Sequence, residues 1–270
     1  MDLICVDQKK CTQCGMCTNV CPNILEMREN GPKAKYPELC IGCGQCVAVC
    51  PQAAIDNDRA PLSNQISLDQ NVHFNSKMVA QFLRSRRSIR HYKQSPVPRE
   101  QLLELINIAR FAPTAGNGQG VSYIIVEDKN ILKKAAELTV NWMESQVVGN
   151  DTAVYRSFAK HIQTHKEEGT DTVLRNVPQI ILATTAKGMP RGRENTIFSL
   201  AYLELYAPSL GLGSCWAGLL EMCLFDKYQP LLNLFNIPED KEITGAVMVG
   251  YPLYRYQRLV DRNPLEVNWL

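Results

Sequence analysis

The sequence lacks the features that mark membrane proteins and nucleic-acid-binding proteins. Its formal net charge is only +2 over 270 residues, so it has no surplus of positive charge for a polyanion or an anionic membrane. No apolar run approaches the roughly 20 residues needed to cross a bilayer. The first residues, Met1 to Cys5, have neither a basic start nor an apolar run, and they predict no secretory signal. We therefore expect a cytoplasmic protein, with neither membrane nor nucleic acid among its partners.

The common signatures of side-chain catalysis are also missing. The chain has only four histidines, and it contains no Ser-His-Asp set, no Walker-type phosphate loop and no paired-carboxylate signature. His161 and His165 are spaced i, i+4, but no third ligand follows at a suitable spacing and lysines flank them. A solvated helix face is therefore favoured over a metal site for this pair.

What the sequence does have is cysteine. Eleven cysteines are present, and nine of them lie in the first fifty residues: Cys5, Cys11, Cys14, Cys17, Cys21, Cys40, Cys43, Cys46 and Cys50. In a small secreted domain this density would indicate a disulfide framework. In a chain without a secretion signal it favours metal binding.

Eight of these cysteines form a repeat. The run Cys11-x2-Cys14-x2-Cys17-x3-Cys21-Pro22 recurs as Cys40-x2-Cys43-x2-Cys46-x3-Cys50-Pro51 at a constant offset of 29 residues, which indicates an internal duplication. The run matches that of bacterial two-cluster ferredoxins, in which the fourth cysteine ligates the other cluster. On that pattern one 4Fe–4S cluster takes Cys11, Cys14, Cys17 and Cys50, and the second takes Cys40, Cys43, Cys46 and Cys21.

The spacing suits an iron–sulfur cluster better than zinc. Three thiolates three residues apart can surround one side of a cubane, whereas structural zinc prefers two well-separated Cys-x2-Cys pairs. Gly15 and Gly44 lie inside the two binding loops, where the missing side chain lets the backbone approach sulfur. Zinc stays as the less favoured alternative, and Cys5, which lies outside the repeat, is expected to be a plain thiol.

The remainder of the chain predicts a second domain. A polar stretch with little periodicity separates it from the cysteine repeat, so we place a ferredoxin-like domain at 1–60, a linker at 61–75 and the second domain at 76–270. Helical and extended segments alternate in that last part, with predicted core strands near 121–126, 180–184 and 244–249. The expected fold class is α+β, with a sandwich behind the small ferredoxin-like domain.

Four short stretches of the second domain carry candidate binding residues. Arginine forks match phosphate oxygens bidentately, so the Arg86–Arg90 segment predicts a phosphate cradle, with a solvated basic turn as the alternative. The small residues and two amides of the loop at 112–119 suit the approach of a flat ring, or a simple turn. The other two are a glycine-bearing turn at 211–216 and the Gly250-Tyr251-Pro252 tail, with Arg258 and Arg262 downstream.

In this order the four stretches resemble the nitroreductase family of FMN enzymes, from Ser76 to Leu270. The resemblance implies a homodimer with FMN at each subunit interface, and a flavin that performs the chemistry, so we name no catalytic side chain. It assigns the FMN phosphate and ribityl chain to Arg86, Arg87, Ser88 and Arg90. The resemblance further implies that Pro113, Thr114 and Asn117 of the partner subunit contribute to the FMN site, with Gln119 nearby. It implies that Gly213 and Ser214 lie along the edge of the flavin ring. Arg262 or, less favoured, Arg258 would provide a second contact with the FMN phosphate.

The combination predicts an oxidoreductase in which a ferredoxin-type donor feeds the clusters and FMN reduces a small electrophilic acceptor, such as a nitroaromatic, a quinone or an enone. The clusters each transfer one electron, whereas reduced FMN delivers two as a hydride. Two alternatives stay open. In one, NAD(P)H feeds the flavin and the clusters pass electrons outward; in the other, the chain is an electron-transfer module without a small-molecule substrate.

Overall fold

The structure is a computed structural model that describes residues 2–147 and 152–270. Its contacts divide the chain into two units. The first contains the residues up to His73 together with Gly116–Gly118, and the second contains Phe74–Ala115 and Gln119–Leu270.

The first unit is built from short elements. They are β1 (Ile4–Val6), α1 (Met16–Val20), β2 (Leu25–Arg28), β3 (Gly31–Ala34), α2 (Gln45–Ala48) and β4 (Ile55–Asn57), with 3-10 turns at Pro37–Leu39 and Leu62–Asn64. Strand β1 pairs antiparallel with β4, and β2 pairs antiparallel with β3. The buried core among the described residues consists of Cys17, Leu25, Cys46, Val47 and Ile55. Two of its five members are therefore cysteines of the repeat.

The second unit has longer elements around one sheet. The helices are α3 (Ser76–Ser85), α4 (Arg99–Ala109), α5 (Lys129–Val147), α6 (Ala153–Glu168), α7 (Gly192–Tyr206), α8 (Gly218–Phe225) and α9 (Gln229–Phe235). The strands are β5 (Ser122–Val126), β6 (Gln179–Ala186), β7 (Gly213–Trp216) and β8 (Lys241–Gly250). They form a four-stranded sheet in the order β5-β6-β8-β7, and every neighbouring pair is antiparallel.

The sheet is buried on both faces. Successive residues of β6 alternate between two apolar clusters, with Ile180 and Leu182 in one and Ile181 and Ala183 in the other. This alternation is the period of a strand whose two sides both face the core. Side chains of α5, α8 and α9 belong to the first cluster, and side chains of α4 and α7 belong to the second. The helix–sheet–helix layering confirms the predicted α+β class.

The structure differs from the predicted elements in two places. The stretch at 211–216 is not one turn, because its last four residues form strand β7, which pairs with β8. The two histidines of the i, i+4 pair lie on helix α6 (Ala153–Glu168). On that helix His161 is half-buried rather than solvated, and burial lowers the pKa of its imidazole.

Two segments of the second unit leave apolar side chains uncovered. Helix α3 is amphipathic, yet none of its side chains is buried within the chain, including Met78 and Phe82. The last residues, after Pro252, have no regular secondary structure and are exposed, including Tyr254 and Trp269. In the described part of the chain, no helix is both long enough and apolar enough to cross a membrane.

Candidate metal and cofactor sites

The eight repeat cysteines gather at two cavities of the first unit. One cavity is lined by Cys11, Cys14, Cys17 and Cys50. The other is lined by Cys21, Cys40, Cys43 and Cys46. Each cavity thus receives three tandem cysteines of one repeat and the fourth cysteine of the other, as the two-cluster ferredoxin pattern requires.

Glycines with left-handed backbone shape both cysteine loops. Gly15 precedes α1 with φ 80°, and Gly44 precedes α2 with φ 72°. A residue with a Cβ is strained at such angles, so glycine permits the loop to turn directly into a helix. Backbone N–H groups also reach sulfur: Gly42 donates to Cys40 Sγ at 3.4 Å and Ala54 donates to Cys50 Sγ at 3.3 Å.

Three of these thiols disfavour ionisation in the absence of a cation. Burial raises the pKa of Cys17, Cys21 and Cys46, and the neighbouring cysteines of the same cavity raise it further. Iron supplies the positive charge that offsets both effects, so thiolate formation and metal binding are coupled. Among the described residues, no group of three or more Cys, His, Asp or Glu side chains is arranged to hold a single metal ion.

In the second unit, the segment Arg86–Arg90, called the arginine segment below, lies alongside β7. The Ile89 N–H donates to the Ser214 carbonyl at 2.9 Å, and Ser88 forms an isolated parallel bridge with Ser214. Gly213 is required here, because a Cβ at that position would lie 2.4 Å from the side chain of Ile89. The predicted phosphate residues and the predicted ring-edge residues are therefore neighbours.

A buried carboxylate joins these two stretches. Glu204, on α7, accepts a hydrogen bond from Ser214 Oγ at 3.0 Å, and its Oε1 lies 3.8 Å from Arg86 Nη1. Burial raises the pKa of Glu204, while Arg86 and the hydrogen bonds from Ser214 and Trp216 oppose that shift. The Arg86 side chain itself is only 25% exposed, so the protein covers most of it.

The Gly-Tyr-Pro tail also meets the arginine segment. Lys93 N–H donates to the Tyr251 carbonyl and Leu253 N–H donates to the His91 carbonyl, both at 2.9 Å. The guanidinium of Arg87 lies 5.9 Å from the centre of the Tyr256 ring. Arg258 and Arg262 are exposed, and the described contacts do not bring them to the arginine segment.

The loop after α4 forms a separate group. Gln119 N–H donates to Thr114 Oγ1 at 2.9 Å, and both residues line a cavity of about 150 Å³ with Tyr123 and Ser199. Pro113 is exposed beside them. Asn117 belongs by its contacts to the first unit, where its side-chain amide donates to the Ile41 carbonyl at 3.0 Å.

Sequence reasoning missed three polar residues at these sites. Glu204 is the single charged residue in the apolar stretch 197–206 of α7, which marks the residue in the sequence but not its partners. Asn195 is buried; its Oδ1 accepts from the Ala115 N–H at 2.9 Å, and its Nδ2 has no partner within the described residues. Asn57 is buried beside the second cysteine set, and no local sequence signal marks it.

Comparisons with known proteins agree with both halves of this description. The model of the nitroreductase family matches residues 83–251, and the model of the 4Fe–4S dicluster domain matches residues 3–59. Iodotyrosine deiodinase of Thermotoga neapolitana is 23% identical over 179 residues, which cover 65% of this chain and 89% of the relative. The NAD(P)H-dependent FMN reductase of Bacillus subtilis is 26% identical over 179 residues, covering 66% of this chain and 67% of the relative.

A solved structure supports the fold. The FMN-bound nitroreductase of Desulfitobacterium hafniense superposes with a TM-score of 0.57 at 16% identity, covering 73% of this chain and all of that one. The family match spans more than half of the chain, on the unit in which the arginine segment, β7 and the Gly-Tyr-Pro tail meet. The chain belongs to the nitroreductase family, and it carries a 4Fe–4S dicluster domain at its N-terminal end.

Proposed function

We propose that this protein is an FMN-dependent oxidoreductase that receives electrons through two 4Fe–4S clusters and reduces a small electrophilic acceptor. The observation that carries the proposal is the presence, in one chain, of two four-cysteine cavities and of an arginine segment bonded to the edge of β7. A protein with only one of these sites would be a carrier or a plain flavoenzyme.

The second unit offers donors that fit FMN. Arg86 is too far from Glu204 for a hydrogen bond, at 3.8 Å, so its N–H groups are available to phosphate oxygens. Arg87, Ser88 and Arg90 add further donors, and Gly213 and Ser214 present backbone beside them. When bound, FMN supplies both one-electron and hydride chemistry. Arg86, Arg87, Ser88 and Arg90 would hold its phosphate, Gly213 and Ser214 would lie along its ring edge, and Glu204 would keep Arg86 oriented.

The first unit offers the ligands for electron entry. We assign Cys11, Cys14, Cys17 and Cys50 to one cluster and Cys21, Cys40, Cys43 and Cys46 to the other, because each set lines one cavity. Clusters exchange single electrons, so the donor that suits them is a reduced ferredoxin or a redox enzyme. Covalent fusion raises the effective concentration of the clusters around the flavin domain.

A homodimer accounts for the uncovered apolar surfaces of the second unit. The apolar face of α3 and the extended tail after Pro252 are exposed in the single chain, as Phe82 and Trp269 illustrate. Exposed apolar surface of this extent is typical of a protein–protein interface. In the dimer we assign Pro113, Thr114, Asn117 and Gln119 to the FMN site of the other subunit, and Arg262, or Arg258, to a second phosphate contact.

The acceptor is proposed as a chemical class. Relatives named for deiodination and for FMN reduction match the chain at similar identity, 23% and 26%. Their reactions share the delivery of electrons to a small molecule, so we keep nitroaromatics, quinones and enones together as candidate acceptors.

The NAD(P)H-fed alternative has one observation in its favour. The Bacillus subtilis relative is named as an FMN reductase that uses NAD(P)H. In that alternative the flavin takes hydride from the nicotinamide, and the clusters pass electrons outward to a protein acceptor.

An acceptor assay with two donors tests the proposal. Wild-type protein and Cys14→Ala are incubated anaerobically with one nitroaromatic, one quinone and one enone, with either reduced ferredoxin or NADPH as donor. We expect ferredoxin-supported turnover of at least one acceptor in the wild type, and its loss in Cys14→Ala with flavin still bound. Equal ferredoxin-supported turnover in both proteins would show that the clusters do not carry the electrons.

A further inference from the structure

Asn57 is a buried polar side chain at the second cysteine cavity. It is the last residue of β4 and is 2% exposed. Its Nδ2 lies 3.6 Å from Cys46 Sγ and 3.8 Å from Cys40 Sγ, and both contacts are hydrogen bonds to sulfur. A buried amide is costly unless it is hydrogen-bonded, so these contacts with sulfur are part of what makes asparagine acceptable here.

The orientation of the amide is fixed by its other end. Asn57 Oδ1 accepts a hydrogen bond from the Arg59 N–H at 2.9 Å. A backbone N–H can only donate, so the oxygen must face Arg59 and the NH2 group must face the sulfurs. Strand pairing holds the residue as a whole, because Asn57 is opposite Ile4 in the β1–β4 ladder. The donor is therefore presented to the sulfurs by the fold.

Among the residues that the structure describes, the first cysteine set has no equivalent donor. The repeat offset of 29 residues places Arg28 at the position that corresponds to Asn57. Arg28 is exposed, and its guanidinium bonds to Glu26. Within residues 2–147 and 152–270, no side-chain donor reaches a sulfur of Cys11, Cys14, Cys17 or Cys50. The two halves of the duplication thus differ in whether a side chain donates a hydrogen bond to a cysteine sulfur.

We propose that Asn57 tunes the second cluster, raising its reduction potential above the value it would have without the amide. A hydrogen bond to a cluster thiolate withdraws negative charge from it. Reduction adds a negative charge to the cluster, so the reduced form gains more from the donor than the oxidised form does. Asn57 is a positioning residue that acts through Cys40 and Cys46. The inference rests on the cluster part of the proposed function and is independent of FMN and of the acceptor.

Two variants of similar size distinguish an effect of Asn57 on the reduction potential of the second cluster from an effect on the fold. Asn57→Asp keeps an oxygen for the Arg59 N–H but replaces the donor with a negative charge, whereas Asn57→Leu removes donor and acceptor together. The control is Asn64→Asp, which makes the same chemical change at an exposed position of the same unit. The full chain is reduced stepwise at fixed potentials, and each cluster is followed by electron paramagnetic resonance. Cys14→Ala, which lacks a ligand of the first cluster, identifies the signal of the second.

We expect both Asn57 variants to lower the reduced-to-oxidised ratio of the second cluster about tenfold at a given potential. This fall corresponds to a reduction potential that is about 59 mV lower for a one-electron couple. The first cluster and the Asn64→Asp control should change less than twofold. An unchanged ratio in both variants, or an equal fall in both clusters, would overturn the assignment. Iron content is measured alongside, because a wild-type chain without eight iron atoms would contradict the proposed function itself.

A measurement on unmodified protein covers the case in which the variants fail to assemble. The chain is produced with 15N-labelled asparagine side chains, and pulsed electron paramagnetic resonance is recorded on each reduced cluster. A 15N coupling on the signal of the second cluster, absent from that of the first, supports the hydrogen bond. Absence of that coupling from both signals would overturn it.

Discussion

Different interactions stabilise the fold of each of the two units. In the second unit, a sheet lies between two apolar clusters, and residues such as Leu182 and Leu200 are completely buried. In the first unit, the described core has five members, two of which are cysteines of the repeat. A domain of this size has little apolar surface to bury, and metal ligation commonly supplies the missing stability. We therefore expect iron to support the fold of the first unit and to leave the fold of the second unit unaffected.

Removal of iron should produce the largest difference between the two units. We expect the first unit to unfold when the clusters are removed, because structural metal binding in small domains contributes on the order of 10 kcal/mol. Hydrogen exchange followed by mass spectrometry should show loss of protection in β1 to β4 and full protection in β6 and β8. Retained protection in β1 to β4 after complete iron loss would contradict the account.

A core truncation tests the other half of the comparison. Leu182→Ala removes a fully buried side chain and should lower the free energy of unfolding of the second unit by about 2–5 kcal/mol. Denaturant unfolding followed by circular dichroism measures the loss, and iron content should stay unchanged. The matched control is Leu103→Ala on α4, where the leucine is 61% exposed and the expected loss is below about 0.5 kcal/mol.

The arginine segment tests whether the second unit binds FMN independently of the iron in the first unit. Arg86→Ala should weaken FMN binding by about 10-fold to 100-fold, because a hydrogen bond to a charged group is worth about 1.5–3 kcal/mol. Flavin fluorescence after dialysis measures the affinity, and iron analysis should give the wild-type value. Arg84→Ala removes an exposed arginine two residues earlier and serves as the control. Full flavin retention in Arg86→Ala would refute the phosphate assignment.

The smallest expected effect concerns Glu204. Because burial raises its pKa above 4.5, the folded state binds this proton more tightly than the unfolded state does. The resulting stabilisation is complete below pH 4.5 and is lost as the pH rises through the raised pKa. Glu204→Gln lacks this dependence, so the advantage of the wild type over the variant should shrink as the pH rises above 4.5.

Thermal unfolding of both proteins across that range measures the difference. Glu194→Gln, at an exposed position of the same helix, controls for the loss of one negative charge. A difference between the wild type and Glu204→Gln that does not vary with pH would contradict the direction of the shift.

Sequence reasoning reached the features whose chemistry is local. The cysteine spacing predicted which cysteines would lie together, and each predicted set lines one cavity. The core strands predicted near 180–184 and 244–249 lie within β6 and β8, because short apolar runs mark them in the sequence. Both depend only on neighbours in the sequence.

Features that depend on distant partners were out of reach. The stretch at 211–216 was predicted as a turn, but pairing with β8 and the close approach of Ile89 make Gly213 part of a strand. Glu204 and Asn57 gain their importance from Arg86, Ser214 and the cysteine sulfurs, which lie elsewhere in the sequence. Their own surroundings in the sequence give no sign of these contacts.

The most direct test of the proposed electron path is an anaerobic reductive titration followed by visible absorbance. Purified protein is treated with NADH, then NADPH, and finally with reduced ferredoxin. We expect little bleaching of the flavin band with either nicotinamide and complete bleaching with ferredoxin. Rapid bleaching by NADH or NADPH, with no effect of ferredoxin, would contradict entry through the clusters and favour the NAD(P)H-fed alternative.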